Sequence, residues 1–234
     1  SFWMARESDY FIAAIERTKR ELVRRGIAGK KIKVMGIPCD PVFGISKGRS
    51  ELMKKLGIRE GVFNLLIMGG GFGTGPVREI VYALGSEEEK IRKAVQAIVI
   101  CGKNQKLYEE LNSAGNKMDI ALSVFGYMNN IDEFMEASDC IVTKSGGLTV
   151  SEALSKKLPM IIIQPIPGQE TRNCKVLTDY GTAARANNVK QVLSNLRDLI
   201  NCPEKIMGMK ARIGLLSYVN AAKDIAAFIS GGLD

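Results

Sequence analysis

At 234 residues the chain can hold one large domain, or one and a half small ones, around a real hydrophobic core. Its 46% hydrophobic and 25% charged residues are ordinary for a globular protein, and no apolar run approaches the roughly 20 residues of a membrane helix. The formal charge of +8 suits either an anionic lipid surface or a plain solvated basic face, and few aromatics interleave with the basic residues, so nucleic acid is not expected as a partner.

In chain order, the start SFWMARESDY lacks the basic region and long apolar core of a signal peptide, and without an initiator Met it reads as the edge of a fragment. Tyr10 to Ile15 reads as a buried strand, Glu16 to Arg25 as a basic amphipathic helix ended by Gly26, and Lys31 to Met35 as a second strand. Pro38 to Arg49, with Pro41, Gly44 and Gly48, has the composition of a linker. Ser50 to Leu56 is a short helix. Phe63 to Met68 is an apolar strand suited to the centre of a parallel sheet. It runs into Gly69-Gly70-Gly71-Phe72-Gly73-Thr74-Gly75 and then a helix from Pro76 to Leu84, with Pro at the first helical position. This glycine loop nearly matches the dinucleotide fingerprint, but no acidic residue closes the next strand, Ala97 to Cys101, in the expected way. Most of its glycines fit equally well a compact turn that needs positive φ angles. Gln105 to Ala114 is a helix. Ile120 to Val124 is a strand opening into Phe125-Gly126-Tyr127-Met128, and Ile131 to Ser138 is a short helix.

The densest stretch runs from Ser138 to Asn173. A strand, Cys140 to Thr143, meets the turn Ser145-Gly146-Gly147. A helix over Thr149 to Lys156 follows, with Val150, Ala153 and Leu154 on one face. Leu158 and Pro159 end it, and a strand from Met160 to Ile163 comes at once. So short a strand–loop–helix–strand unit gives a right-handed crossover between parallel strands. The turn sets backbone N–H groups, with the Thr149 hydroxyl, at a helix N-terminus, where unpaired donors and about half a positive charge favour phosphate. One turn on, Glu152 is placed to accept hydrogen bonds from ligand hydroxyls. It equally suits a carboxylate that merely balances the dipole. Pro165-Ile166-Pro167-Gly168 is a rigid loop carrying Gln169 and Glu170 to the same sheet edge. Beyond it lie a helix from Asn173 to Tyr180, a strand from Thr182 to Arg185, a helix from Val189 to Asn201, and a last helix from about Lys205 to Ile229, broken near Gly214. Strands alternate with helices throughout, the α/β pattern of a parallel sheet. Its ligand edge is the one beyond the C-terminal strand ends.

Several chemistries lack their residues. The chain has no His and no D-x-D, so the commonest general base and the carboxylate pair of metal-dependent sugar transferases are both missing. Its five cysteines form no C-x-x-C pair and read as reduced cytosolic thiols rather than disulfides or zinc ligands.

The run SGGLTVSEALSKKLPMIIIQPIPGQETRN resembles the nucleotide-sugar motif of glycosyltransferase family 28, which includes bacterial and plastid diacylglycerol glycosyltransferases. The P-x-P-G-Q-E loop followed by Asn is most like the diacylglycerol enzymes. The resemblance implies a Rossmann-like α/β domain, the C-terminal half of a GT-B glycosyltransferase. Residues 1–36 would end an N-terminal acceptor domain, 37–49 form the linker, 50–204 the donor domain, and 205–234 a helix returning towards the N-terminal domain. It implies an inverting transfer of glucose or galactose from UDP-glucose or UDP-galactose to a lipid acceptor such as diacylglycerol, with no metal and no further cofactor. The uracil would lie at Phe125, Gly126, Tyr127 and Met128, and the ribose on Glu152. The diphosphate would lie at Gly146, Gly147, Leu148 and Thr149, with Ser145 in the same nucleotide-sugar turn and Gly71 nearby, and the sugar on Gln169 and Glu170. Asn173 matches the family Asn, with a part in holding the loop. The catalytic base would come from the N-terminal domain. The expected location is cytoplasmic, peripheral to the inner face of the cell membrane, or on a plastid membrane in a plant. Three alternatives stand beside it. One is a donor-binding subunit completed by a separate membrane partner, against which the strand–helix segment at 10–35 argues. The others are a dinucleotide-binding oxidoreductase domain and a UDP-N-acetylglucosamine 2-epimerase, which the P-G-Q-E loop fits less well.

Overall fold

The computed structural model describes residues 7–115 and 117–231; the outermost residues of the two terminal stretches, 1–6 and 232–234, lie outside the described residues. Its centre is a six-stranded, wholly parallel sheet built from β3 (Phe63–Met68), β4 (Val95–Ile100), β5 (Ala121–Phe125), β6 (Cys140–Thr143), β7 (Met160–Ile163) and β8 (Ala183–Ala186). The spatial order is β5-β4-β3-β6-β7-β8. The chain therefore winds outwards from β3 to β5, returns to the middle at β6, and winds outwards again. This is the order of dinucleotide-type α/β sheets, and the reversal between β3 and β6 opens a crevice at their C-terminal ends.

The four central strands are mainly apolar and almost wholly buried because both faces are covered, while the edge strands β5 and β8 are only partly buried. On β3, Leu65 and Ile67 point to one core, while Leu66 and Met68 point to the other. The first core lies under α3 (Val77–Gly85), α5 (Gln105–Gly115) and α9 (Val189–Asn201), which contribute Ile80, Leu84, Leu111 and Leu196. The second lies under α2 (Arg49–Leu56), α6 (Ile131–Ala137), α7 (Gly147–Ser155) and α8 (Gln169–Asp179), with Phe134, Leu154 and Leu177. Burying side chains of this size stabilises by about 1.5–3 kcal/mol each.

Apart from this sheet, β1 (Phe11–Ala13) and β2 (Ile32–Val34) pair in parallel, joined by α1 (Glu16–Arg24). Their own core is small, centred on Ala13, Ile27 and Ile32. The C-terminal stretch is two helices, α10 (Pro203–Ile213) and α11 (Ala221–Ile229), not one broken helix. The ring of Phe228 on α11 meets that of Tyr10 edge-on at 4.8 Å, so α11 packs on the small sheet.

Three helix starts differ from expectation, and one helix was not expected. Pro76 is the N-cap of α3, and the helix begins at Val77. A short polar helix, α4 (Glu89–Ala94), precedes β4; only Ile91 of its six residues is buried, too little apolar periodicity to read. Helix α7 begins at Gly147, two residues earlier than its apolar face suggested, with Gly146 as N-cap. Helix α8 begins at Gln169, four residues early, so Gln169 and Glu170 occupy a first helical turn rather than a loop.

Candidate nucleotide-sugar site

The loops after β3, β4, β5, β6 and β7 share the C-terminal edge of the sheet. Two of them flank the crevice between β3 and β6. The glycine loop after β3 is fixed by close backbone approach. A Cβ on Gly73 would lie 2.1 Å from the Cys101 carbonyl oxygen, and Gly73 has a φ of +57°. Lys103 N–H donates to the Gly71 carbonyl at 2.9 Å, and the Asn104 amide donates to that of Gly73 at 3.2 Å. This loop is thus welded to the one after β4. At Gly71, Gly126 and Gly146 the case is the reverse. Their φ angles are ordinary and a Cβ would meet nothing within 4 Å, so the fold itself does not demand glycine there. All three face open space along the proposed ligand edge, where a small residue admits close approach.

The N-terminus of α7 is uncapped. Gly146 makes no side-chain cap, the first turn holds no acidic residue, and among the described residues the N–H groups of Gly147, Leu148 and Thr149 donate to no backbone carbonyl. Such an end attracts anions. Behind it, Ser145 is fully buried. Its hydroxyl donates to the Glu170 carbonyl at 2.7 Å, and its own carbonyl accepts from the Asn173 amide at 2.9 Å. Ser145 and Asn173 therefore bind the α7 turn to the start of α8, and the Ser145 hydroxyl is already engaged. Glu170 reaches back to accept from the Ile166 N–H at 3.0 Å through Oε2, which orders the proline loop. The exposed Gln169 amide and the half-buried Thr149 hydroxyl have no hydrogen-bond partner among the described residues.

Glu152 stands one turn into α7. It is half-buried, and among the described residues its carboxylate has neither an ion-pair nor a hydrogen-bond partner. Burial, helped by the neighbouring Asp40 charge, raises its carboxyl above the ordinary range. At the far side of the edge, the Phe125 ring lies 4.8 Å from that of Phe134, and both Phe125 and Met128 pack against the core. Tyr127 instead is exposed and, with the exposed Phe72, flanks Lys103, whose Nζ lies 5.9 and 6.0 Å from the two ring centres. Phe72, Lys103 and Lys144 are rim residues that the motif did not single out. Lys103 lies in a loop whose position on the ligand edge was readable, but its aromatic neighbours come from other strands.

A wholly parallel six-stranded sheet of this order, with helices on both faces and its reversal beside an uncapped helix, has the architecture of the C-terminal half of a GT-B fold. The solved glycosyltransferase WaaG of lipopolysaccharide biosynthesis has this fold: TM-score 0.64 at 19% identity, over 94% of this chain and 62% of that one. So has the UDP-N-acetylglucosamine 2-epimerase of Neisseria meningitidis bound to its UDP-sugar: TM-score 0.69 at 17% identity, over 96% of this chain and 61% of that one.

Residues 64–225 match the glycosyltransferase family 28 C-terminal domain, and the chain belongs to that family. A processive diacylglycerol beta-glucosyltransferase of Bacillus pumilus is 33% identical over 224 residues, which is 95% of this chain and 57% of the relative. The chain thus spans little more than half the length of the curated relatives it matches.

Proposed function

We propose that this chain is the UDP-sugar-binding half of an inverting, metal-independent glycosyltransferase that moves a hexose, glucose or galactose, onto a lipid acceptor such as diacylglycerol. The observation that carries the proposal is the family membership of the segment that holds the uncapped α7 turn and Glu152. The relative's name, a diacylglycerol glucosyltransferase, supports the hexose and the lipid.

In this reading the diphosphate lies against the N–H groups of Gly147, Leu148 and Thr149, and Gly71 and Gly146 leave room for it. The ribose hydroxyls donate to Glu152, whose carboxylate is ready to accept. The uracil edge lies along Phe125 to Met128 with Tyr127 exposed beside it. The sugar meets Gln169 and the free oxygen of Glu170, and Asn173 holds the turn. The acceptor oxygen attacks the anomeric carbon from the face opposite UDP. The bond from that carbon to the β-phosphate oxygen breaks, and its electron pair stays on UDP, where the helix N-terminus stabilises the growing charge. The acceptor's proton goes to a base assigned to the part of the relatives that this chain does not span. No helix among the described residues is long and apolar enough to cross a membrane. We place the protein in the cytoplasm, held peripherally at the inner face of the cell membrane, or on a plastid membrane in a plant, where the net charge of +8 favours anionic lipid.

Calorimetric titration with UDP, GDP and NAD in separate metal-free runs tests the donor site. UDP is expected to bind and the others not. Binding of NAD without UDP would make the glycine loop at 69–75 a dinucleotide site and end this reading.

A further inference from the structure

The crevice between β3 and β6 holds a cation that the family motif does not account for. Lys144, the residue after β6, sends its side chain across the crevice, and its Nζ donates to the Thr74 hydroxyl at 2.8 Å. Thr74 in turn donates to the Gly69 carbonyl at 3.2 Å, so the hydroxyl is oriented by the opposite loop. The Lys144 stem is half-buried and lies 3.3 Å from where a Cβ on Gly75 would stand. Among the described residues no carboxylate pairs with this ammonium. The surroundings increase the charge imbalance. Two helices begin beside the crevice, α3 after Pro76 and α7 after Gly146, each with a partial positive charge at its N-terminus. Helix α3 carries Glu79 in its first turn, but that carboxylate pairs with Arg78; α7 carries none. A full positive charge set beside two positive helix ends, with only a neutral hydroxyl for a partner, favours an anion strongly.

We propose that Lys144 is the counter-charge of the donor's diphosphate: its ammonium, which donates to the Thr74 hydroxyl, turns to the phosphate oxygens when the nucleotide binds. This rests on the donor-site reading above and adds to it a charged side chain for the diphosphate. A lysine suits the task because its ammonium is a compact point charge on a long stem that can swing between two acceptors. No bond is made or broken; an N–H donated to a neutral hydroxyl is exchanged for a stronger one donated to an anion.

The test is titration of the full chain and its variants with UDP, UMP and uridine, at low and high salt, beside thermal melts. Lys144→Met should lower UDP affinity about tenfold, lower UMP affinity less, leave uridine unchanged, and flatten the salt dependence of UDP binding. Lys144→Arg should keep UDP affinity within about threefold of the parent, since the charge and reach remain. Thr74→Val, which removes the resting partner and keeps the cation, should also stay within about threefold. A Lys144→Met chain that binds UDP as the parent does overturns the assignment while leaving the donor site standing. Equal losses for uridine and UDP, or a Thr74→Val loss matching that of Lys144→Met, would show that the bridge shapes the site and the charge does not act on phosphate. A parent chain that binds none of the three probes overturns the donor-site reading and Lys144 with it.

Discussion

Glu152 is a cost to the fold, because its half-buried carboxylate lies near Asp40 and has no ion-pair or hydrogen-bond partner among the described residues. Its carboxyl is raised by burial and by Asp40, so in the folded chain it holds its proton more tightly than in the unfolded one. Ionisation at neutral pH therefore opposes folding, and the penalty fades as pH falls through the raised folded value. Glu152→Gln removes that charge and keeps one acceptor oxygen. It should raise the stability of the free chain at pH 7 by about 0.5–1 kcal/mol, as relief of a functional strain commonly does. It should also weaken UDP about tenfold, the scale of one hydrogen bond to a charged acceptor. Denaturant melts at pH 7 and pH 5 with parallel titrations decide it. If the variant is less stable than the parent, Glu152 serves the fold, as a carboxylate that only balances the helix dipole would. That balancing role and the ribose role are alike in sequence. Two things separate them in the structure: the lack of a partner among the described residues, and the approach of Asp40 from far along the chain.

Among the elements, the stretch from Ile45 to Arg49 shows why linker composition misleads. Pro41, Gly44 and Gly48 give residues 38–49 the composition of a linker, yet the second half is latched. Glu136 on α6 accepts from the Ser46 hydroxyl at 2.7 Å, from the N–H of Lys47 at 2.9 Å and of Gly48 at 3.1 Å, and from Lys156 Nζ at 2.7 Å. Lys156, almost fully buried, also donates to the Ile45 carbonyl. Nearby, Glu133 accepts from Lys55, Asn130 and Lys47, and Lys47 reaches Asp132 at 2.6 Å. Burial alone would raise the Glu136 carboxyl, but the bonds from Lys156, Ser46 and the Lys47 N–H hold it below its ordinary value. Lys55, then Asn130 and Lys47, draw that of Glu133 down to about 2. Both folded values lie below the unfolded ones. The latch is therefore complete above about pH 4.5 and is lost as pH falls from there towards 2. Glu136→Gln should cost about 2 kcal/mol at pH 7, the scale of breaking charged hydrogen bonds at a buried site, and the gap from the parent should close below pH 4. A gap that persists unchanged at pH 3 would mean that the charge is irrelevant. The acids of this latch lie about 90 residues from the segment they hold, so no local pattern reveals it. The strands of the large sheet were legible because most are apolar runs bounded by turn residues, β8 with its exposed Arg185 being the weakest. The start of α8 was not, because Glu170 orders the preceding loop through a side-chain bond that spacing does not show.

At the scale of the whole molecule, the unit of β1, α1 and β2 depends on the C-terminal end of the chain. Two strands of three residues around three buried side chains do not make a stable sheet alone. Their support comes from α11 and the turn before it. Phe228 packs on Tyr10, Lys33 Nζ lies 5.1 Å above the Phe228 ring, and Val219 crowds Gly44. The tightest point is Gly36, where the chain leaves β2 at a φ of +83°, and an added Cβ would lie 2.4 Å from that of Tyr218. Beside it the seam is loose, with a cavity of about 100 Å³ between Ile15, Ile37, Val150, Leu154, Val176 and Tyr218. The segment leaving β2 thus meets the segment before α11 through a close contact of Gly36 with the Tyr218 side chain beside an open pocket, so the clasp should open as a unit. Gly36→Ala adds both a left-handed strain of about 1 kcal/mol or more and a clash of about 1–3 kcal/mol. Hydrogen exchange should then show the amides of β1, α1, β2 and α11 losing protection together, by one to two powers of ten, with β3, β4, β6 and β7 unchanged. Were the central strands to lose protection to the same degree, the two sheets would fold as one body and the clasp would not be a separate element. Were nothing to change, Tyr218 would have moved aside at no cost, and the contact at Gly36 would not hold the ends together.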